Sequence, residues 1–175
     1  DDEIHVVSAI GDEPFAAGIV RRGFKNTRIR CHIAELRGET PVQYISIEPN
    51  GEKNFLRYDE GVLAVYRIDE DAARIVRTAD LLVTPVFGQI HELFHSVMSV
   101  SVAGKVAVDF ADFSQHPDFS HLESYLDGID VAFFGLSAGD HKLVSALSAL
   151  ADRSHKLFIV TLGSGGSVAF AGHEK

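Results

Sequence analysis

Lys156-Leu157-Phe158-Ile159-Val160-Thr161-Leu162-Gly163-Ser164-Gly165-Gly166-Ser167-Val168-Ala169-Phe170 (KLFIVTLGSGGSVAF) decides how this chain is read. Leu157–Val160 is a short apolar, partly β-branched run, the pattern of a strand covered on both faces. Thr161 ends it, Gly163, Gly165 and Gly166 follow, and Ser167–Phe170 is a second strand-like run. A Gly-rich turn lets backbone N–H groups approach an anion such as phosphate. Ligands of open α/β sheets bind outside the carboxyl ends of the parallel strands. A plain hairpin turn uses the same residues equally well. What precedes the turn has to choose between the two.

Working outward, the preceding segments alternate in type. Leu81–Phe87, Lys105–Phe110 and Val131–Phe134 have the pattern of buried strands. Helical patterns follow them at Gln89–Val100, around Ser120–Glu123 (a capping-box spacing) and at His141–Ala151. Asp69–Ala79 is a further helix, with Asp69 as its cap. Four βα repeats in series predict a parallel sheet with helices on its faces. At the start of the chain, Ile4–Ile10 reads as a strand and Pro14–Arg22 as a helix. That helix takes Asp12 as N-cap, Phe15, Ile19 and Val20 as buried stripe, and Gly23 as stop. Arg28–Leu36, Val42–Glu48 and Lys53–Tyr58 alternate polar and apolar, and Asn50-Gly51 marks a hairpin between the last two. These residues, 28–58, are expected to form a small separate antiparallel sheet.

Composition narrows the function classes. A chain of 175 residues with 46% hydrophobic content suffices for one domain, 1–175. A net charge of −9 disfavours nucleic acid or an anionic membrane surface as partner. A polyphosphate ligand would need Mg²⁺ to screen it. The single Cys31 excludes an internal disulfide and favours a reducing compartment, the cytoplasm. The chain opens directly into a strand without an initiator Met, so it reads as a fragment.

Three constellations can carry chemistry. His91-Glu92-Leu93-Phe94-His95 is an HExxH pattern that, on a helix, sets two His on one face for Zn²⁺ with Glu92 as base. Against it, Ile90, Leu93, Phe94, Val97 and Met98 form an ordinary core stripe that leaves His91 and His95 on its flank. A third ligand such as His116, His121 or Glu123 has nothing to support it, so no metal ligand is assigned. Asp109 and Asp112 fall at the carboxyl end of a strand, where they can accept from sugar hydroxyls or an ammonium group, or cap a turn. Gly88 closes the neighbouring strand and leaves room for a ligand, or simply turns the chain. The Gly163–Gly166 turn lacks both the Walker A and the dinucleotide spacing.

Taken in order, these residues resemble the PfkB-type, ribokinase-like carbohydrate kinases, fructoselysine 6-kinase-like members in particular. Ala9-Ile10-Gly11-Asp12-Glu13-Pro14-Phe15 is similar to the family's "VG-D-DPFG" turn, with Ala16 where a Gly is usual. Arg57-Tyr58-Asp59-Glu60-Gly61 resembles the end of its β-clasp lid, and Ala79–Val83 the strand that follows. Val108-Asp109-Phe110-Ala111-Asp112 stands where fructosamine-type kinases have D-F-S-D. Ile159–Gly166 is similar to the nucleotide-side "VTLG-xxG" strand. The resemblance implies a three-layer α/β/α sandwich with a mostly parallel sheet and a small β-sheet lid, contributed by 28–58. It implies Mg²⁺-dependent transfer of the ATP γ-phosphoryl group to a sugar hydroxyl. Gly88, Asp109 and Asp112 would lie near the sugar, Thr161, Gly163 and Gly166 near the nucleotide, and the lid could join two copies.

The departures are specific. The family's first sugar contacts would precede Asp1, and its GAGD motif with the catalytic Asp would follow Lys175, so no catalytic residue is assigned. Gly135–Asp140 (GLSAGD) has neither the Asn nor the Glu of the family's N-x-x-E. These residues alone are expected to phosphorylate nothing. A non-catalytic sugar- or nucleotide-binding relative is the alternative, and the HExxH zinc hydrolase the outsider.

Overall fold

The computed structural model describes residues 3–25, 28–49, 53–114 and 117–172. They fall into two compact units, Asp1–Ile75 with Gly88–Val100, and Val76–Phe87 with Ser101–Lys175. Among the described residues no helix is long and apolar enough to cross a membrane.

The first unit begins with strand β1 (Ile4–Gly11), helix α1 (Pro14–Phe24) and strand β2 (Ile29–Leu36). β2 runs parallel to β1, from Ile4 beside Ile29 to Gly11 beside Leu36. The expectation that Arg28–Leu36 joins an antiparallel set is therefore corrected. Two strands joined through a helix form a βαβ unit, and that connection makes them parallel. The cap of α1 also differs. Glu13, not Asp12, accepts from Ala16 N–H (3.0 Å) and Ala17 N–H (3.2 Å). The Asp12 carboxylate instead accepts from Gly38 N–H at 3.0 Å. Gly23 does not stop the helix, which runs one residue further. Phe15 (77% exposed) and Ile19 (50%) do not form a buried stripe, and Ala17 is the residue of α1 that is buried.

Strands β3 (Val42–Ile47) and β4 (Lys53–Asp59) pair antiparallel, with an irregularity between Tyr44 and Ile45. Asn50 and Gly51, the expected turn, lie outside the described residues. Ile45 and Ile47 on β3 and Phe55 and Leu56 on β4 are all exposed, and Arg57 lies over the Tyr44 ring, 4.2 Å from its centroid. At the root of this hairpin, Gly11 N–H donates to the buried Thr40 hydroxyl (3.0 Å) and Val62 N–H to the Glu39 carbonyl (2.9 Å). Ala9, Val62 and Tyr66 form a small core there, backed by Ala34, Leu36, Leu63, Ile68 and Leu93. Helix α2 (Glu70–Thr78) starts as expected, with Asp69 accepting from Ala72 N–H at 2.8 Å. Helix α3 (His91–Met98) buries Phe94 and Val97.

The second unit is built on one sheet of five neighbouring strands in chain order: β5 (Leu81–Pro85), β6 (Lys105–Asp112), β7 (Val131–Gly135), β8 (Leu157–Thr161) and β9 (Ser167–Ala171). The first four are parallel and β9 returns antiparallel along β8. Helices α4 (Phe119–Tyr125) and α5 (His141–Ser154) bury Leu122, Leu147, Leu150 and Ala151. Asp118, rather than Ser120, caps α4 by accepting from His121 N–H at 2.9 Å. Val108, Ala132, Phe158 and Val160 are fully enclosed, as continuous apolar runs in central strands should be. β5 departs from that pattern, because it lies at the end of the strand order and leaves Leu81 and Val83 exposed.

Candidate functional site

The sheet's register brings two expected site positions, Asp112 and Thr161, into one row through Gly135. Asp112 on β6 is beside Gly135 on β7, and Gly135 is beside Thr161 on β8. Neighbouring strands lie about 4.8 Å apart, so the row spans about 10 Å of the carboxyl edge.

Asp109 and Asp112 owe their placement to a bulge. Asp109 pairs with Phe133 and Asp112 with Gly135, so three steps on β6 match two on β7. The extra residue is absorbed at Ala111, whose φ of 51° is left-handed and uncommon outside Gly. In a regular strand, residues three apart face opposite sides. Here the extra residue resets the alternation, and Phe110 and Phe113 are both buried against Phe134, at ring-centroid distances of 5.3 and 5.2 Å. Asp109 and Asp112, each one residue before a buried Phe, are both exposed. Asp109 Oδ1 accepts from Ala111 N–H at 2.9 Å, and Asp112 Oδ1 accepts from the Ser114 hydroxyl at 2.8 Å. Gly135 is needed where it stands, because a Cβ there would lie 2.9 Å from the Ala111 carbonyl oxygen.

The stretch Thr161–Gly166 is indeed the turn of a β8–β9 hairpin, and it sits at the same edge. The Thr161 hydroxyl donates to the Phe134 carbonyl at 3.3 Å, and its own carbonyl accepts from Leu136 N–H at 2.9 Å. A 3-10 turn over Gly163–Gly165 follows, closed by Leu162 N–H to the Gly166 carbonyl at 2.8 Å. Gly163 and Gly166 have φ of 57° and 85°, and a Cβ on either would meet no atom within 4 Å. Open backbone of this kind can approach a bulky anion. Gly88 belongs to the first unit, where it opens a 3-10 turn, and a Cβ there would also meet open space.

The HExxH helix has found other work. Glu92 is ion-paired with Arg67 through Nε at 2.9 Å, and the His91 and His95 rings lie edge to face at 5.2 Å. Glu123 is paired with Arg153, and His116 lies outside the described residues. Among the described residues no group of three His, Cys, Asp or Glu side chains is placed to hold a metal ion. Nothing here favours the zinc hydrolase. The bulge at Ala111 and the close approach of Gly135 escaped the sequence reading. The signal was the doubled Asp-Phe of Asp109-Phe110-Ala111-Asp112-Phe113, whose three-residue spacing a regular strand cannot bury on one side.

No family model matches the chain. Superposition on solved structures defines the class: the fold is that of the ribokinase-like proteins. The chain matches a ribokinase from Giardia lamblia with a TM-score of 0.71 and 19% identity, over 94% of this chain and 54% of that one. It matches one from Thermotoga maritima with a TM-score of 0.67 and 17% identity, over 98% and 58%. In sequence the chain is similar to curated fructoselysine 6-kinases. It is 28% identical over 142 residues to the fructoselysine 6-kinases of Escherichia coli (strain K12) and of Shigella flexneri. Those residues are 81% of this chain and 52% of each relative, so the chain spans about half the length of the curated relatives it matches.

Proposed function

We propose that the protein takes part in ATP-dependent phosphorylation of a sugar hydroxyl, and that its acceptor is a fructosamine-type sugar. The observation that carries this reading is the row of Asp112, Gly135 and Thr161 along one carboxyl edge, with exposed carboxylates at one end and an open glycine turn at the other. In this reading Asp109 and Asp112 stand at the sugar end, and Thr161, Gly163 and Gly166 serve the nucleotide end. An exposed carboxylate at the sugar end favours an acceptor that carries an amine, because an ammonium group is both a charge partner and a donor. Phosphoryl transfer depends mostly on positioning and charge stabilisation, which is what such an edge supplies. No catalytic base is assigned among these residues.

Mg²⁺ is expected to arrive on the nucleotide phosphates and to screen them from a chain of net charge −9. The loop where the family carries N-x-x-E offers Asp140, whose carboxylate already accepts from Ser137 N–H at 2.8 Å, so no side chain here is assigned to the ion. The β3–β4 hairpin is the lid in this reading, its exposed Ile47 and Phe55 suit a homodimer contact, and the cytoplasm is the expected compartment.

The test is an ADP-release screen with ketohexoses and fructose–amine conjugates, a fructose–lysine conjugate among them, paired with calorimetry of MgATP. Turnover with an amine-bearing acceptor supports the reading. MgATP binding without turnover across the panel favours a non-catalytic binding relative, to which the absent Asn and Glu of Gly135–Asp140 already lean. A folded protein that binds neither nucleotide nor sugar overturns both readings.

A further inference from the structure

The two carboxylates of the rim are not equivalent, and we infer that Asp109 is a positioning residue that holds the Ala111 bulge, while Asp112 is the carboxylate that meets the acceptor. The inference rests on the reading of the site given above and divides its roles. Asp109 is tied to main chain on two sides. Its carbonyl accepts from Val86 N–H at 2.8 Å, and its Oδ1 accepts from Ala111 N–H at 2.9 Å. The second bond holds a non-glycine residue at a φ of 51°, a conformation that persists only where its surroundings impose it. Beyond the bulge, Phe113 N–H is shared between the carbonyls of Ala111 and Gly135, both at 3.0 Å. That pair of bonds fixes where Asp112 leaves the sheet. Asp112 Oδ1 accepts at 2.8 Å from the Ser114 hydroxyl, a rotor that can turn aside when a ligand donor arrives.

If Asp109 acts through the backbone, it needs an acceptor oxygen and no charge. Asp109→Asn keeps that oxygen, whereas Asp109→Ala loses it, and Asp112→Asn loses the charge that an ammonium-bearing acceptor would meet. Calorimetry of the fructose–lysine conjugate on the whole protein is expected to give Asp109→Asn within about twofold of the parent. Both Asp109→Ala and Asp112→Asn should weaken binding about tenfold or more, the loss that goes with a charged or fixed hydrogen bond. Amide exchange reads the bulge directly. Ala111 N–H should exchange about tenfold faster in Asp109→Ala and at the parent rate in Asp112→Asn. A glycine adopts left-handed φ without help, so adding Ala111→Gly to Asp109→Ala should recover most of the lost affinity. Asp109→Asn as weak as Asp112→Asn, or an Ala111 amide indifferent to Asp109→Ala, overturns the assignment. A parent protein that ignores the conjugate refutes the reading of the site and the role given to Asp112. The exchange of Ala111 then decides the role of Asp109 alone.

Discussion

The ends of β6 and β8 reach the same edge with left-handed backbone, but they keep it in opposite ways. At β6 the left-handed residue is an alanine, held by the Asp109 carboxylate and by Phe110 and Phe113 packed on Phe134. At β8 the left-handed residues are glycines with nothing within 4 Å of where a side chain would start. One end imposes its geometry through packing. The other leaves it free and exposes main chain. A rim that must aim a side chain and also admit a bulky anion needs both solutions.

The largest expected effect breaks the packed end. Phe134 is 1% exposed and packs against three rings, Phe110, Phe113 and Phe158, at centroid distances of 5.3, 5.2 and 5.1 Å, and Phe113 in turn meets the Phe119 ring. Phe134→Ala should cost about 3–5 kcal/mol in urea unfolding. Gly135→Ala comes next, because the added carbon must push the Ala111 carbonyl aside. A loss of about 1–3 kcal/mol is expected, with faster exchange at Phe113 N–H. At the open end, Gly166→Ala meets no atom but must hold a φ of 85°, so about 1–2 kcal/mol of stability is expected to go. Its MgATP affinity should fall further than that strain alone accounts for, and unchanged affinity would separate the turn from the nucleotide. The opposite edge supplies the control. Burial raises the Asp130 carboxyl, but Lys105 and Val106 N–H outweigh it and hold the group below the usual carboxylate range. Its contribution to stability is therefore present above that range and lost as the pH falls through the lowered value. Asp130→Asn should remove this small acid-side dependence, read as the midpoint of thermal unfolding against pH, and leave ligand affinity unchanged.

Much of this architecture was legible because continuous apolar runs such as Leu157–Val160 and Val106–Val108 have few ways to be satisfied other than in a parallel sheet. Asp69 was likewise readable as a cap, since its side chain acts within its own first turn. The pairing of β2 was not legible, because polar alternation reports one wet face and says nothing about which neighbour a strand joins. Phe15 and Ile19 show that helical periodicity names a face without naming what covers it. HExxH misled for a related reason: spacing puts groups on one side of a helix, but Arg67 decides what Glu92 does there. The bulge needed Phe134, a residue of another strand, before the repeated Asp-Phe had a meaning.

Glu13 has a consequence for how the first unit loosens. The same carboxylate that accepts from Ala16 and Ala17 at the start of α1 also accepts from Thr40 N–H at 3.3 Å, in the link between β2 and β3. The Thr40 hydroxyl, with these amides, outweighs the opposing effect of burial and holds Glu13 below its ordinary value. One ionised group thus serves as latch for a helix and for the strap that leads into a hairpin. Fraying of one removes an anchor from the other, so Ala16, Ala17 and Thr40 should open as a single event with a shared exchange rate. As acid protonates Glu13, the helix start and the strap should become accessible to proteases together.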